Sequence, residues 1–102
     1  MKIRTGQTVY EQIVSLNLNN DPVSGATFDT VMYRNGMAYT GLTITTILED
    51  ASRGVFTTFW SASTIGEYKL YAKNNITSTV FISDNVSVVS DNEINTNMYI
   101  GI

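Results

Sequence analysis

Cysteine and histidine are both absent from these 102 residues, proline occurs once, and six basic residues face nine acidic ones. Without cysteine there is no disulfide, no thiolate metal site and no thiol nucleophile, so packing and hydrogen bonds must carry the fold. Such a chain suits a reducing cytoplasm. The lack of histidine removes the commonest general base and the commonest transition-metal ligand, and most hydrolytic constellations go with it. The basic residues are scattered and the net charge is −3, which argues against nucleic acid, because neutralising phosphates needs clustered Lys and Arg. Apolar runs are too short to span a membrane, so a soluble chain with no membrane partner is expected. The opening residues 1–8 turn polar where a secretory signal would become apolar, so no signal peptide is expected. No nucleophile elbow, Gly-rich phosphate loop or zinc motif is present. A chain of this size holds one core, with little room for the cleft of a paired-carboxylate glycosidase. A protein that is not an enzyme and uses no cofactor or metal is expected.

Thr, Ser and Asn are abundant, whereas helix-forming Ala, Glu and Lys are sparse, and no long stretch keeps a 3.6-residue apolar period. Strand signals recur instead about every ten residues, between clusters of Gly, Asn, Asp and Ser. In residues 10–18, Val14, Leu16 and Leu18 alternate with Ser15 and Asn17, and the turn at Asn19, Asn20, Asp21 and Pro22 follows. Residues 26–33 end at Asn35-Gly36, a dipeptide suited to a tight hairpin. Phe28 and Met32 share one side of that run and Val31 and Tyr33 the other, so either both faces are covered or a bulge intervenes. Leu42, Ile44, Thr46 and Leu48 alternate in the next run, before a polar turn over residues 49–54. In residues 55–62, Phe56 and Trp60 share a face, assigned to the core because the two largest rings sit there. Tyr68, Leu70 and Ala72 then point inward, with Lys69, Tyr71 and Lys73 outward. Residues 80–89 form a last run, broken near Ser83, Asp84 and Asn85. About seven such strands fit an all-β Greek-key sandwich of the immunoglobulin-like type better than an eight-stranded ligand barrel.

Residues 1–90 are read as this domain and residues 91–102 as a C-terminal strand or arm. Gly66, Tyr68 and Leu70 match the Gly-x-Tyr-x-apolar pattern of the tyrosine corner, whose Tyr bonds back to the backbone and pins a crossover loop. Together with Gly54-Val55-Phe56 and Trp60, this stretch resembles bacterial and phage Ig-like domains, the resemblance covering roughly residues 8–89. Trp60 lies shortly before the corner and not on the third strand, which departs from the antibody type. The resemblance implies a structural or binding role, since such domains decorate phage capsids and tails or sit in bacterial surface proteins. Function must still be argued from a site.

The acidic side chains Glu49, Asp50, Asp84, Asp91 and Glu93 could offer oxygen ligands to calcium only if their loops cluster, and they lack any calcium-loop spacing. Tyr39, Tyr71 and Tyr99 are candidate sugar-stacking groups, although a tyrosine on a strand also serves β-propensity alone. In the tail, Met98, Ile100 and Ile102 alternate with Tyr99 opposite, which reads either as a final strand of the same sheet or as an arm that adds to a neighbouring subunit. Three roles follow. The first is a virion accessory protein, made in the host cytoplasm and attached through Met98, Tyr99, Ile100 and Ile102 to a major capsid or other virion protein as capsid decoration or tail accessory. The second is a carbohydrate-adhesion or surface-binding module that contacts host-surface glycans. The third is an inhibitor or host-modulating protein.

Overall fold

The structure, a computed structural model, describes residues 1–90. Among these, nine strands run in the order β1 (Lys2–Arg4), β2 (Thr8–Val14), β3 (Phe28–Arg34), β4 (Met37–Tyr39), β5 (Thr45–Asp50), β6 (Val55–Ser61), β7 (Gly66–Asn74), β8 (Val80–Ile82) and β9 (Val86–Val89), with no helix between them. They build two sheets. One has six strands in the order β1-β9-β7-β3-β4, with β8 also on β7, and the other has three, β2-β6-β5. The all-β sandwich expected from the alternation is therefore present, with nine strands in place of about seven. The additional ones are short: β1 has too few residues to display a period, and β4 is the brief return of the hairpin turned by Asn35 and Gly36, at φ 52° and 82°.

Alternation decides what each strand buries. On β3 the ambiguous facing resolves without a bulge: Met32 is buried and Phe28 meets the Phe56 ring edge-on at 5.0 Å, while Val31 and Tyr33 face out. Along β7, Tyr68, Leu70 and Ala72 are fully buried and Lys69, Tyr71 and Lys73 lie on the other face. Phe56 and Trp60 are buried on β6, as their shared face requires, with Thr58 between them donating nothing to solvent and accepting from the Thr46 hydroxyl at 3.2 Å. Trp60 and Tyr68 come from opposite sheets and meet at 5.3 Å between ring centres. Val9, Met32, Leu70, Val86 and Val88 close around them. Burying each such aliphatic side chain contributes about 1.5–3 kcal/mol.

Two readings of the sequence are corrected. The run read over residues 10–18 is a strand over Thr8–Val14, with Val9, Ile13 and the following Ser15 buried and Tyr10, Val14, Leu16 and Leu18 exposed. The strand ends at Val14, and an irregular hairpin then joins Leu16 to Pro22. The polar turn expected at residues 49–54 begins later, because β5 continues through Glu49 and Asp50 with a register shift between Leu48 and Asp50. Asp50 then closes the turn, accepting from the Ser52 amide and hydroxyl at 3.0 and 2.6 Å. Gly54 ends that turn at φ 65°, where a β-carbon would overlap the Ser15 carbonyl oxygen. Glycine is required there on both counts.

The break near Ser83, Asp84 and Asn85 is real and has a geometry. Tyr71 pairs with Ile82 and Tyr68 with Val86, so three residues stand opposite two, as in a β-bulge. Ser83 fills the disrupted ladder with its own hydroxyl, which accepts from the Leu70 amide at 2.8 Å and donates to the Asp84 carbonyl at 3.0 Å.

Candidate binding site

The corner residues come together as their spacing suggested. Tyr68 opens the inward series of β7, and its hydroxyl donates to the Thr64 carbonyl four residues upstream at 2.7 Å. Arg34 braces the same loop from the neighbouring strand, donating through Nε and Nη2 to the Ile65 carbonyl at 3.1 and 2.8 Å. Burial pushes the Tyr68 phenol up from its ordinary pKa, with Tyr39 adding to the rise, so it remains a donor at neutral pH. Leu70 and the core rings Phe56 and Trp60 lie on the inner faces, and Gly66 sits at the mouth of the corner against Arg34. These residues hold the sandwich and offer nothing to a ligand.

Tyrosines divide differently from the expectation. Tyr39 is not an outward ring: it lies opposite Met32, half-buried, edge-on to Tyr68 at 5.9 Å and under the Arg34 guanidinium at 5.4 Å. Pairing with an inward residue turns it inward too. Tyr71 does lie on the outer face of the six-stranded sheet, where it packs against Tyr33 of β3 at 4.8 Å between centres. Tyr33 was not singled out from the sequence, and the signal that finds it is cross-strand register, Val31 opposite Tyr71 and Tyr33 opposite Lys69. Around this pair is a concavity of about 520 Å³ lined by Asn35, Glu67, Lys69 and Asn85. Glu67 is held in place, receiving the Ser87 hydroxyl at 2.6 Å and the Asn85 amide at 2.8 Å. Two rings beside ordered amides and charges make a surface that can stack and hydrogen-bond a flat polar ligand.

A second surface lies where the sheets part. Strand β2 pairs with β6 on one edge and with no described strand on the other. Facing it is β8, the short strand at the border of the larger sheet. Between them runs a groove of about 390 Å³ lined by Ile13, Leu16, Phe28, Ala72, Val80 and Phe81. It opens at the loop tips into a further apolar hollow formed by Leu16, Leu18 and Ile76.

The acidic candidates are not brought together. Glu49 and Asp50 end β5, Asp84 sits in the bulge, and among the described residues no three acidic groups converge on a metal-sized site. Asp84 instead approaches Glu11, an inward position of β2, whose carboxyl is pushed up first by burial and then by that neighbouring charge. The Asp50 carboxyl is held below its ordinary value, chiefly by the Ser52 hydroxyl, with backbone hydrogen bonds from Ser52 and Arg53 and the Arg53 charge adding to it. Asp91, Glu93, Met98, Tyr99, Ile100 and Ile102, and with them the whole arm at residues 91–102, lie outside the described residues. No protein-family model matches this sequence, and comparison with curated proteins finds no match.

Proposed function

We propose that this chain is an immunoglobulin-like Greek-key domain acting without catalysis as an attachment module, a virion accessory protein of the capsid-decoration or tail type. Strand order supports the fold part of the reading. In immunoglobulin-like sandwiches the second, fifth and fourth strands form one sheet and the third, sixth and seventh the other. Counting β1 as the first strand and the bulged pair β8 and β9 as one, and setting β4 aside as an addition, β2-β6-β5 and β3-β7-β9 take those places. The parallel pairing of β1 with β9 and the Tyr68 corner at the start of β7 fit the same plan.

The observation that carries the functional reading is the exposed apolar series of Tyr10 and Val14 on β2 and Leu16 and Leu18 in the hairpin after it, beside a strand edge with no described partner. Sequence alternation of that kind normally faces a partner, and contiguous exposed apolar surface marks interaction sites. Polar groups that chemistry would need are already committed to structure: Glu67 to Ser87 and Asn85, Asp50 to Ser52, and Asn74 to Ser15 at 2.7 Å. Affinity isolation of the tagged chain from phage-infected lysate, followed by electron microscopy, tests the proposal. Particles bearing the domain at symmetry-related positions are expected. Recovery of soluble or cell-wall material alone would overturn the virion assignment.

A saccharide-binding role is the second reading, and the Tyr33 and Tyr71 pair beside Asn35, Glu67 and Asn85 favours it. A glycan array probed with the chain and with Tyr71→Ala separates the two. Signal lost in the variant supports saccharide contact on this face, and silence of the parent chain removes it.

A further inference from the structure

We infer that the groove beside β2 is a strand-acceptor site, and that its occupant is the Met98, Tyr99, Ile100 and Ile102 segment of a second copy of this chain. The inference rests on the attachment reading and deepens it, naming the surface by which copies join.

Three features converge on it. First, among the described residues the smaller sheet ends at β2, whose outer edge pairs with no described strand and offers a template for another. Second, the adjoining groove reaches to the border of the sandwich interior, with the half-buried Phe28 and Phe81 on its wall and the buried Ile13 and Ala72 behind them. Its mouth continues into Leu16, Leu18, Ile76 and Val80, the last three exposed to 103%, 62% and 54%. Third, the chain carries a segment whose sequence suits such a groove: residues 98–102 alternate Met98, Ile100 and Ile102 with Tyr99 and Gly101. In an added strand, that period sends three apolar side chains into the groove and two residues outward.

Chain direction selects the second copy over the same chain. β9 finishes where β2 begins, since the Thr5 amide bonds the Val89 carbonyl at 3.0 Å and the Gly6 amide the Ala62 carbonyl at 2.9 Å. β1 already occupies the outer edge of β9. A tail returning along its own β2 would run parallel to it, the less stable pairing, whereas a tail from another copy is free to lie antiparallel. Length is sufficient: twelve residues follow Ser90 and reach roughly 40 Å when extended, well beyond the groove. Glu11 limits the register. An inward carboxylate guards the Thr8 half of the edge against indiscriminate pairing, which leaves the half from Gln12 onward as the seat.

Native mass and disulfide trapping test this, the latter made clean by the absence of natural cysteine. The full chain should sediment above its 11.3 kDa monomer mass, and Ile100→Asp or Leu16→Asp should weaken self-association about tenfold or more. Should Leu16→Asp unfold, Ile100→Asp still decides the matter, provided that its cooperative unfolding is retained. Mixing a Gln12→Cys chain with a Tyr99→Cys chain should give a mixed disulfide dimer under oxidation. A monomeric parent chain, or trapping solely within a chain carrying both substitutions, overturns the inference. A monomer that still decorates particles would leave the attachment reading standing, and a strand-swapped dimer that ignores particles would do the reverse.

Discussion

Tyr68 illustrates how one side chain can serve packing and polar satisfaction together. Its ring fills the space against Trp60 and Tyr39, while its hydroxyl reaches back to the Thr64 carbonyl. Tyr68→Phe keeps the ring and removes the bond, so a loss of about 1–3 kcal/mol is expected in urea unfolding, with the slope unchanged. Loss of slope instead would mean that the loop, and not the bond, had failed. Glu11 makes an opposite kind of contribution. Its folded carboxyl is raised above its unfolded value, so its contribution is fully present in acid, below the unfolded value, and lost as pH rises through the folded one. Glu11→Gln should therefore raise the neutral-pH Tm, and its advantage should fade on acidification. An advantage of the same size at every pH would show that the Glu11 ionisation has no part in it.

At the scale of elements, the last run along the chain is two strands because Ser83 intervenes. Its hydroxyl stands in for a backbone partner, and without it the buried Leu70 amide would have none. Ser83→Ala should cost about 1–3 kcal/mol and loosen β8 first, seen as faster amide exchange at Phe81 and Ala72, which face one another across β7 and β8. Uniform acceleration across β9 as well would argue that the bulge is not a separate unit. Sequence marked this break through Ser, Asp and Asn, residues that bond locally and compete with ladders. It marked the β3 to β4 hairpin through Asn35-Gly36 and the inward face of β7 through strict alternation. It carried the run at residues 10–18 past Val14, where the strand ends, because an apolar period of two does not itself mark where pairing stops.

At the scale of the whole, the described residues form two unequal sheets held by a small core in which Trp60 is the largest side chain. Trp60→Ala should cost about 3–5 kcal/mol. Against a typical domain stability of about 5–15 kcal/mol, that is a large fraction, so cooperative melting should fall sharply in temperature or disappear from calorimetry. Near-parental melting would mean that the sheets are held elsewhere, for instance by the buried Asn74 to Ser15 hydrogen bond that joins them at the other end. Among the described residues, the imbalance of six strands against three leaves the outer edge of β2 without a described partner, beside the surface proposed for attachment.

By itself the sequence determined the all-β class, the inward positions Phe56, Trp60, Tyr68 and Leu70, the Gly66 and Tyr68 pattern, and the break near Ser83. Each of these follows from local chemistry, namely side-chain period, ring volume and turn residues. Which strands are neighbours was decided by tertiary structure, because pairing joins residues far apart in the chain: Tyr33 to Tyr71, Ser15 to Asn74, Glu67 to Ser87. That decision turned Tyr39 inward, placed Tyr33 beside Tyr71, and left Val14, Leu16 and Leu18 exposed. An apolar pattern records that a side chain is to be buried, and the arrangement of the sheets decides whether its own chain buries it.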